Sequence, residues 1–352
     1  MVTQPCCAQI PKCGMNMWVC ESVKPQQVSL SVSVSSIAVR VARKSREALD
    51  ISSFELVSVK GDPLPGFSAG SHIDVLLPNG ITRQYSLCND PSENHRYLIG
   101  VLKDPATRGG SKAMHEAVKE GDVLQISAPR NHFQLVHGAS RSVLLAGGIG
   151  VTPILCMAER LSMAGAPFEM HYCSRSRERM AFCDRISNSG FAGNVQLHFD
   201  DGMPEQKLDL AALLATPATG THLYVCGPKG FMDAVLGTAR GAGWPEPQVH
   251  YEFFSAEVVK SDSDGSFEVK LASSGRIVRV PKDKTVVEAL AAAGVAVATS
   301  CEQGVCGTCL TRVLEGTPDH RDMYMTPEEQ SRNDQFTPCC SRSKSESLVL
   351  DL

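Results

Sequence analysis

The sequence predicts a multidomain protein in which an antiparallel β-barrel is followed by an α/β domain with a parallel sheet and by a small α+β domain. Its 352 residues suit two to three domains. Short strands separated by Gly, Pro and Asn turns fill residues 33 to 137, and strands alternate with helices from 138 to 254. A cysteine-rich stretch lies within the last part, residues 267 to 352.

The composition excludes several classes of protein. The 34 basic and 38 acidic residues give a net charge of −4, which is too balanced for a nucleic-acid surface or a basic membrane patch. The sequence has no run of 18 apolar residues and no secretory signal pattern, so we expect a cytoplasmic protein without a membrane span. Fourteen cysteines in such a chain indicate metal ligands and buried thiols rather than a disulfide framework.

The barrel region contains two candidate anion sites. In ITRQYSLCND, residues 81 to 90, Arg83 and Tyr85 alternate along a strand and therefore share one face. Arginine can fork onto a phosphate while the Tyr85 ring flanks an isoalloxazine, although a half-buried barrel residue explains Tyr85 equally well. Thr107-Arg108-Gly109-Gly110-Ser111 predicts a second anion cradle, before a helix in SKAMHEAVKEG.

The α/β region contains a candidate pyrophosphate site in residues 143 to 165. An apolar strand leads into Gly147-Gly148-Ile149-Gly150, and Thr152-Pro153 opens an amphipathic helix. Glycines and a helix N-terminus allow an anion to approach closely, although a tight strand–helix connection is the alternative. Further strands are predicted at 168–175, 195–201 and 221–226. The last of them ends in Cys226-Gly227-Pro228 at the edge where a nucleotide binds.

The loop after the second of these strands bears on the choice of nucleotide. Ser174-Arg175-Ser176-Arg177-Glu178 has no obvious carboxylate for a ribose 2′-hydroxyl. Arg175 and Arg177 could bind a 2′-phosphate and favour NADPH, or they could form a solvated loop.

The C-terminal cysteines predict an iron–sulfur cluster. Cys301, Cys306, Cys309 and Cys339 follow the pattern C-x4-C-x2-C-x29-C, and the first three have the spacing of plant-type [2Fe–2S] ligands. Structural zinc is the alternative, but zinc sites usually show two C-x2-C-like pairs. We take Cys339 rather than Cys340 as the fourth ligand. Strands in 267–283, a helix in 285–294 and the terminal strand SLVLDL complete a unit that resembles a plant-type ferredoxin (β-grasp) domain.

A nicotinamide nucleotide and an iron–sulfur cluster in one chain require a group between them that converts a two-electron transfer into one-electron transfers. A nicotinamide donor releases two electrons as a hydride, whereas the cluster accepts one electron at a time. A flavin can perform this conversion, so the sequence predicts a flavin in the barrel region.

Five motifs follow one another along the chain: R-x-Y-S, G-G-S, G-G-I-G-x-T-P, C-G-P and the cysteine set. With these motifs, residues 33 to 352 resemble the phthalate dioxygenase reductase and vanillate demethylase reductase family. The resemblance implies an FMN site, with Arg83 and Ser111 on the phosphate, formed by Arg83, Gln84, Tyr85, Ser86, Gly100, Val101, Leu102, Gly109, Gly110 and Ser111. It implies that Gly147 to Thr152 face the NADH pyrophosphate and that Cys226-Gly227-Pro228 lie at the nicotinamide. Phe254 would pack on the flavin ring, although linker packing explains it equally well.

The resemblance also implies a partner, a terminal Rieske-type non-haem iron oxygenase that acts on an aromatic or related substrate. Asp319, Asp322, Glu328 and Glu329 could dock it, or they could belong to a solvated loop and a helix start. The alternative functions are a flavin reductase that releases reduced FMN and a cluster-based redox sensor. We expect a monomer, a disordered leader at 1–32 and a polar linker at 255–266.

Overall fold

The computed structural model describes residues 36 to 255 and 264 to 352. The chain divides into the units Met1–Val34 and Ser35–Leu352, and the description below concerns the second. The predicted leader and residues 256 to 263 of the predicted linker lie outside the described residues. Within the described ranges, no helix has the length and apolarity needed to cross a bilayer.

An antiparallel sheet forms the first part. Its strands are β1 (Ile37–Ala48), β2 (Ile51–Ser58), β3 (Ser71–Leu76), β4 (Thr82–Ser86), β5 (Tyr97–Leu102), β6 (Val123–Ile126) and β7 (Arg130–Asn131), with α1 (Gly110–Glu116) between β5 and β6. The order is β4-β3-β6-β1-β2-β5, and β7 pairs with β3. A bridge between Leu87 and Ile99 joins the two edge strands, so the sheet closes as the predicted barrel.

A parallel sheet forms the second part. Its strands are β8 (Arg141–Gly147), β9 (Phe168–Ser174), β10 (Val195–Phe199), β11 (Thr221–Cys226) and β12 (Val249–Glu252), and its helices are α2 (Val151–Met163), α3 (Cys183–Ser187), α4 (Leu210–Leu214) and α5 (Lys229–Gly241). The order β10-β9-β8-β11-β12 reverses direction between β8 and β11. Ligands of open α/β sheets bind at such a reversal, outside the carboxyl ends of the strands.

The C-terminal part is the predicted α+β unit. Its elements are β13 (Phe267–Leu271), β14 (Ile277–Val280), α6 (Val286–Ala292), β15 (Thr311–Glu315), β16 (Pro318–Asp319), α7 (Pro327–Arg332), β17 (Gln335–Phe336), β18 (Arg342–Ser343) and β19 (Ser347–Leu350). The main sheet has the order β14-β13-β19-β15-β17, with β13 parallel to β19. Helix α6 begins where predicted, because Thr285 and Glu288 form a reciprocal capping box.

Candidate active site

A cleft of about 1580 Å³ joins the barrel, the parallel sheet and the cysteine loop. Twenty of the residues predicted to form the site line it: Arg83, Gln84, Tyr85, Ser86, Gly100, Val101, Leu102, Gly110, Ser111, Gly147, Gly148, Ile149, Thr152, Ser174, Arg175, Gly227, Pro228, Phe254, Cys301 and Cys306. Six do not: Gly109, Gly150, Pro153, Cys226, Cys309 and Cys339. Segments distant in sequence therefore face one cavity.

At the sheet edge, the glycine turn packs directly on the end of β11. A Cβ atom on Gly150 would lie 2.2 Å from the carbonyl oxygen of Cys226, and one on Gly227 would lie 3.0 Å from the Cα of Gly147. Only glycine fits these approaches, which bring the start of α2 to the reversal point of the sheet. Cys226 itself is fully buried, and burial raises the pKa of its thiol. Its side chain is thus a neutral thiol behind the cleft wall, and the catalytic role that the resemblance implies for it at the nicotinamide stays a prediction.

The barrel wall brings its two predicted anion segments together. A Cβ atom on Gly110 would lie 2.7 Å from Cγ of Arg83, so the Arg83 side chain crosses directly over this glycine. The Ser111 hydroxyl donates to Oγ1 of Thr107 at 2.9 Å, within the same loop. Burial raises the pKa of Tyr85, which keeps its phenol neutral. The wall therefore offers a guanidinium, a hydroxyl and a neutral aromatic ring side by side.

Glu252, which the sequence interpretation did not single out, lies at the end of β12 and lines the cleft. The Ser86 hydroxyl donates to its Oε2 at 3.2 Å, and burial raises the pKa of the Glu252 carboxyl to about 7. A carboxyl with that pKa can hold or release a proton near neutral pH. In HYEFFSA, residues 250 to 256, only Phe254 has a role predicted from the sequence, because the pairing of Glu252 with Ser86 spans 166 residues.

A second overlooked carboxylate lies beside Ser174 and Arg175. Asp200 follows β10, lines the cleft, and donates its backbone N–H to the Ser174 carbonyl at 3.1 Å. The loop after β9 places no carboxylate of its own in the cleft. The carboxylate comes from the neighbouring strand rather than from the loop after β9. Arg177 is exposed and does not line the cleft.

The cysteine loop presents its sulfurs in a buried group. Each of the four predicted ligands is at most 8% exposed. The backbone N–H groups of Gln303 and Val305 donate to Cys301 Sγ at 3.3 Å and 3.4 Å. Hydrogen bonds from the thiols of Cys306 and Cys339 lower the pKa of Cys301. Buried sulfurs that receive several donors suit thiolate ligands of a cluster.

The surroundings of Cys339 and Cys340 differ. The Cys339 thiol interacts with Cys301, Cys309 and Cys340, whereas the Cys340 sulfur interacts with Cys339 and lies 3.3 Å from the Thr337 hydroxyl and 3.8 Å from that of Ser341. This supports Cys339 as the fourth ligand, an assignment that stays a prediction. Within the described ranges, no group of three or more His, Cys, Asp or Glu side chains is arranged to hold a single metal ion.

The acidic docking residues are arranged differently from the expectation. The side chain of Asp322 is fully buried and accepts the N–H of Met325 at 2.8 Å, so it cannot face a partner protein. Glu329 caps α7 through Thr326, as the alternative interpretation of this segment expected. Glu328 is exposed.

Comparison with known proteins agrees with this geometry. Residues 269 to 344 match the family described as a 2Fe-2S iron-sulfur cluster binding domain. Residues 126 to 249 match the N-terminal domain of the dimethylamine monooxygenase subunit DmmA-like family. These two matches fall on the C-terminal unit and on the parallel sheet, respectively.

Two relatives align with about nine-tenths of this chain. A vanillate O-demethylase oxidoreductase of Pseudomonas putida is 58% identical, over 89% of this chain and 98% of its own length. A phthalate dioxygenase reductase of Burkholderia cepacia is 39% identical, over 90% and 97%. The solved structure of phthalate dioxygenase reductase, titled as a modular structure for electron transfer from pyridine nucleotides to [2Fe-2S], matches with a TM-score of 0.72 at 39% identity, over 90% of this chain and 98% of that chain. The chain therefore belongs to the family of vanillate O-demethylase oxidoreductases and phthalate dioxygenase reductases.

Proposed function

We propose that this oxidoreductase passes electrons from NADH through FMN and a [2Fe–2S] cluster to a terminal Rieske-type non-haem iron oxygenase. One observation supports the proposal above all. The edge of the parallel sheet, the barrel strand with Arg83 and Tyr85, and the cluster cysteines Cys301 and Cys306 line a single cleft. Such a cleft lets donor, converter and one-electron carrier lie next to each other.

The nucleotide end of the cleft fits a dinucleotide. Gly147 to Ile149 and Thr152 would face the pyrophosphate, because their backbone lies where α2 starts. Asp200 is placed to accept a hydrogen bond from a ribose hydroxyl, which favours NADH over NADPH. Arg175, which is exposed on the same wall, is the residue that would contact a 2′-phosphate.

The barrel wall fits FMN. Arg83, Ser111 and the backbone around Gly110 would hold the phosphate, and Tyr85 with the backbone of Gly100 to Leu102 would flank the ring. When bound, the nicotinamide supplies a hydride and the flavin releases the two electrons singly. The Ser86 hydroxyl orients the Glu252 carboxyl by donating to its Oε2 at 3.2 Å, and that carboxyl can hold or release a proton in the cleft. Phe254 closes the same wall with its half-buried ring.

The cysteine loop fits the cluster. Cys301, Cys306, Cys309 and Cys339 would ligate the two irons, with Cys301 and Cys306 on the cleft side. The left-handed backbone of Gly304 and Gly307, with φ of 73° and 67°, allows the loop to wrap closely. A flavin reductase that releases FMN has no use for a cluster loop in its cleft, and a sensor has no use for a nucleotide site.

The relatives guide the choice of partner. The relative that is 58% identical is the oxidoreductase of a vanillate O-demethylase, and the phthalate dioxygenase reductase is 39% identical. We therefore propose an oxygenase that demethylates a methoxylated aromatic acid of the vanillate type. The aromatic compound would bind to that oxygenase and not to this chain.

The test is reconstitution of the complete electron-transfer chain. The purified protein, loaded with FMN and cluster, is mixed with NADH and a vanillate demethylase oxygenase, and formaldehyde release is measured. We expect formaldehyde release that depends on both proteins, and slower NADH oxidation when a phthalate dioxygenase oxygenase and phthalate replace the demethylase oxygenase and its substrate. Equal turnover when this protein is replaced by chemically reduced free FMN would support the flavin-reductase alternative instead.

A further inference from the structure

Two arginines of the barrel hold the loop that carries the first cluster cysteine. Arg108 Nη2 donates to the backbone carbonyl of Cys301 at 2.7 Å, and Arg83 Nη1 donates to that of Ser300 at 3.2 Å. The Glu302 carboxylate lies 3.5 Å from Nη2 of Arg83 and 3.5 Å from Nη1 of Arg108. Three consecutive loop residues are thus tied to the barrel.

A partly buried hydrogen bond holds the same loop from a third side. The side chain of Ser300, which is 2% exposed, donates to Oδ1 of Asp74 at 3.1 Å. Asp74 in turn forms an ion pair with Arg130. Charge-assisted hydrogen bonds of this kind are roughly twice as strong as neutral ones. The loop is therefore seated on a preformed set of charges of the barrel.

The backbone conformation of Glu302 indicates that contacts of its side chain hold it in place. Its φ of 57° lies in the left-handed region, where glycine is favoured, and Gly304 and Gly307 occupy that region in the same loop. A glutamate in this conformation is strained unless its surroundings hold it. The two guanidinium groups provide such surroundings.

The contacts differ in strength. Arg108 and Glu302 have side chains that are 42% and 47% exposed, so water screens their ion pair and its contribution is small. The shorter hydrogen bond from Arg108 to the Cys301 carbonyl is partly buried and directional. Arg83 is proposed to hold the phosphate. Arg108 lines the cleft within the second predicted anion segment but is not among the residues proposed to hold the phosphate, so its replacement, with the FMN content measured, tests the loop contact most selectively.

We propose that Arg108 is a positioning residue for electron transfer, which clamps residues 300 to 302 onto the barrel and so fixes the cluster loop against the flavin wall of the cleft. This inference rests on the proposed function, because the clamp matters only if electrons pass from the flavin to the cluster. Electron-transfer rates fall as donor and acceptor move apart, so a cluster loop that is released from the flavin wall should be reduced more slowly.

The test compares loaded proteins with Arg108→Gln, with Arg108→Lys, and with the matched control Arg40→Gln, which alters an exposed arginine of the barrel outside the cleft. Anaerobic stopped-flow mixing with NADH follows flavin bleaching and cluster reduction separately, and hydrogen exchange follows the amides of residues 300 to 309. For Arg108→Gln we expect unchanged bleaching, cluster reduction slowed about tenfold or more, and faster amide exchange. Arg108→Lys should lie between, because lysine lacks the planar fork.

Two results separate failure of the clamp from failure of the proposed function. If Arg108→Gln reduces its cluster and exchanges its loop amides as Arg40→Gln does, the clamp is wrong and the proposed function stands. If NADH never reduces the cluster of the unaltered protein, the proposed function is wrong and the clamp has no electron-transfer role. Should Arg108→Gln fail to assemble its cluster, Arg108→Lys and Glu302→Gln in the same assays decide.

Discussion

Replacing Glu252 with glutamine should stabilise the protein at alkaline pH. The Glu252 carboxyl forms part of the cleft wall and accepts the Ser86 hydroxyl at 3.2 Å. Burial, opposed only in part by that hydrogen bond, raises its pKa from 4.5 to about 7. A shift of this size corresponds to about 3 kcal/mol of unfavourable free energy for the charged form in the folded protein. Glutamine keeps the acceptor for Ser86 and removes the charge.

The pH dependence has a definite sign. Below pH 4.5 the carboxyl is protonated in both the folded and the unfolded protein, so it contributes no difference. As the pH rises from 4.5 to about 7, the unfolded chain loses this proton first, and the free energy of unfolding falls. Above about pH 7 the folded protein bears the full cost of the buried charge. The gain from glutamine should therefore appear over this interval.

The assay is thermal unfolding followed by circular dichroism at about pH 5 and about pH 8.5, with the exposed Glu246→Gln as the matched control. A change of 1 kcal/mol moves the melting temperature of a domain of 150–250 residues by about 2–4 °C, so Glu252→Gln should gain several degrees over the unaltered protein at the higher pH. The same variant should lose a bend near pH 7 from kcat/KM for NADH. An equal change in melting temperature at both pH values would refute the buried-charge reasoning.

Three further predictions concern single positions. Cys339→Ser should abolish the cluster signal and lower the iron content, whereas Cys340→Ser should retain both. Iron analysis and electron paramagnetic resonance measure the two quantities, and loss of the cluster in Cys340→Ser alone would reverse the ligand assignment. Gly150→Ala places a methyl group 2.2 Å from the Cys226 carbonyl oxygen. We therefore expect NADH binding to weaken about tenfold or more while the cluster content stays constant, and an unchanged KM for NADH would contradict this packing. Arg175→Gln should leave kcat/KM for NADH within about twofold and reduce any NADPH activity about tenfold; an equal loss with both nucleotides would mean that Arg175 does not contact a 2′-phosphate.

Local patterns in the sequence predict much of the fold. The apolar run before Gly147 becomes β8, and the Thr285 capping box begins α6, because each depends on neighbours within a few residues. The short strands β15 to β18 are not predicted from the sequence. Strands of two or five residues are too short to show a clear alternation of apolar and polar side chains.

Site residues can be predicted where one contiguous motif contains them, and cannot be predicted where the fold brings together residues that are distant in sequence. The cysteine spacing indicates its chemistry directly, whereas R-x-Y-S does so only together with the other motifs of the chain. The positions of Glu252 and Asp200 in the cleft follow from the pairing of β12 with β11 and of β10 with β9, which the sequence does not show. The contact of Arg108 with Cys301 joins residues 193 positions apart, and no local pattern encodes it. Asp322 has the same acidic side chain as its exposed neighbours, and only packing shows that it is buried.

The central claim is tested most directly by anaerobic titration of the loaded protein with NADH, followed by visible absorption and electron paramagnetic resonance. The account predicts flavin bleaching accompanied by the rhombic signal of a reduced [2Fe–2S] centre, with electrons shared between the two. Flavin bleaching without a cluster signal, in protein of full iron content, would contradict the account and favour a flavin reductase.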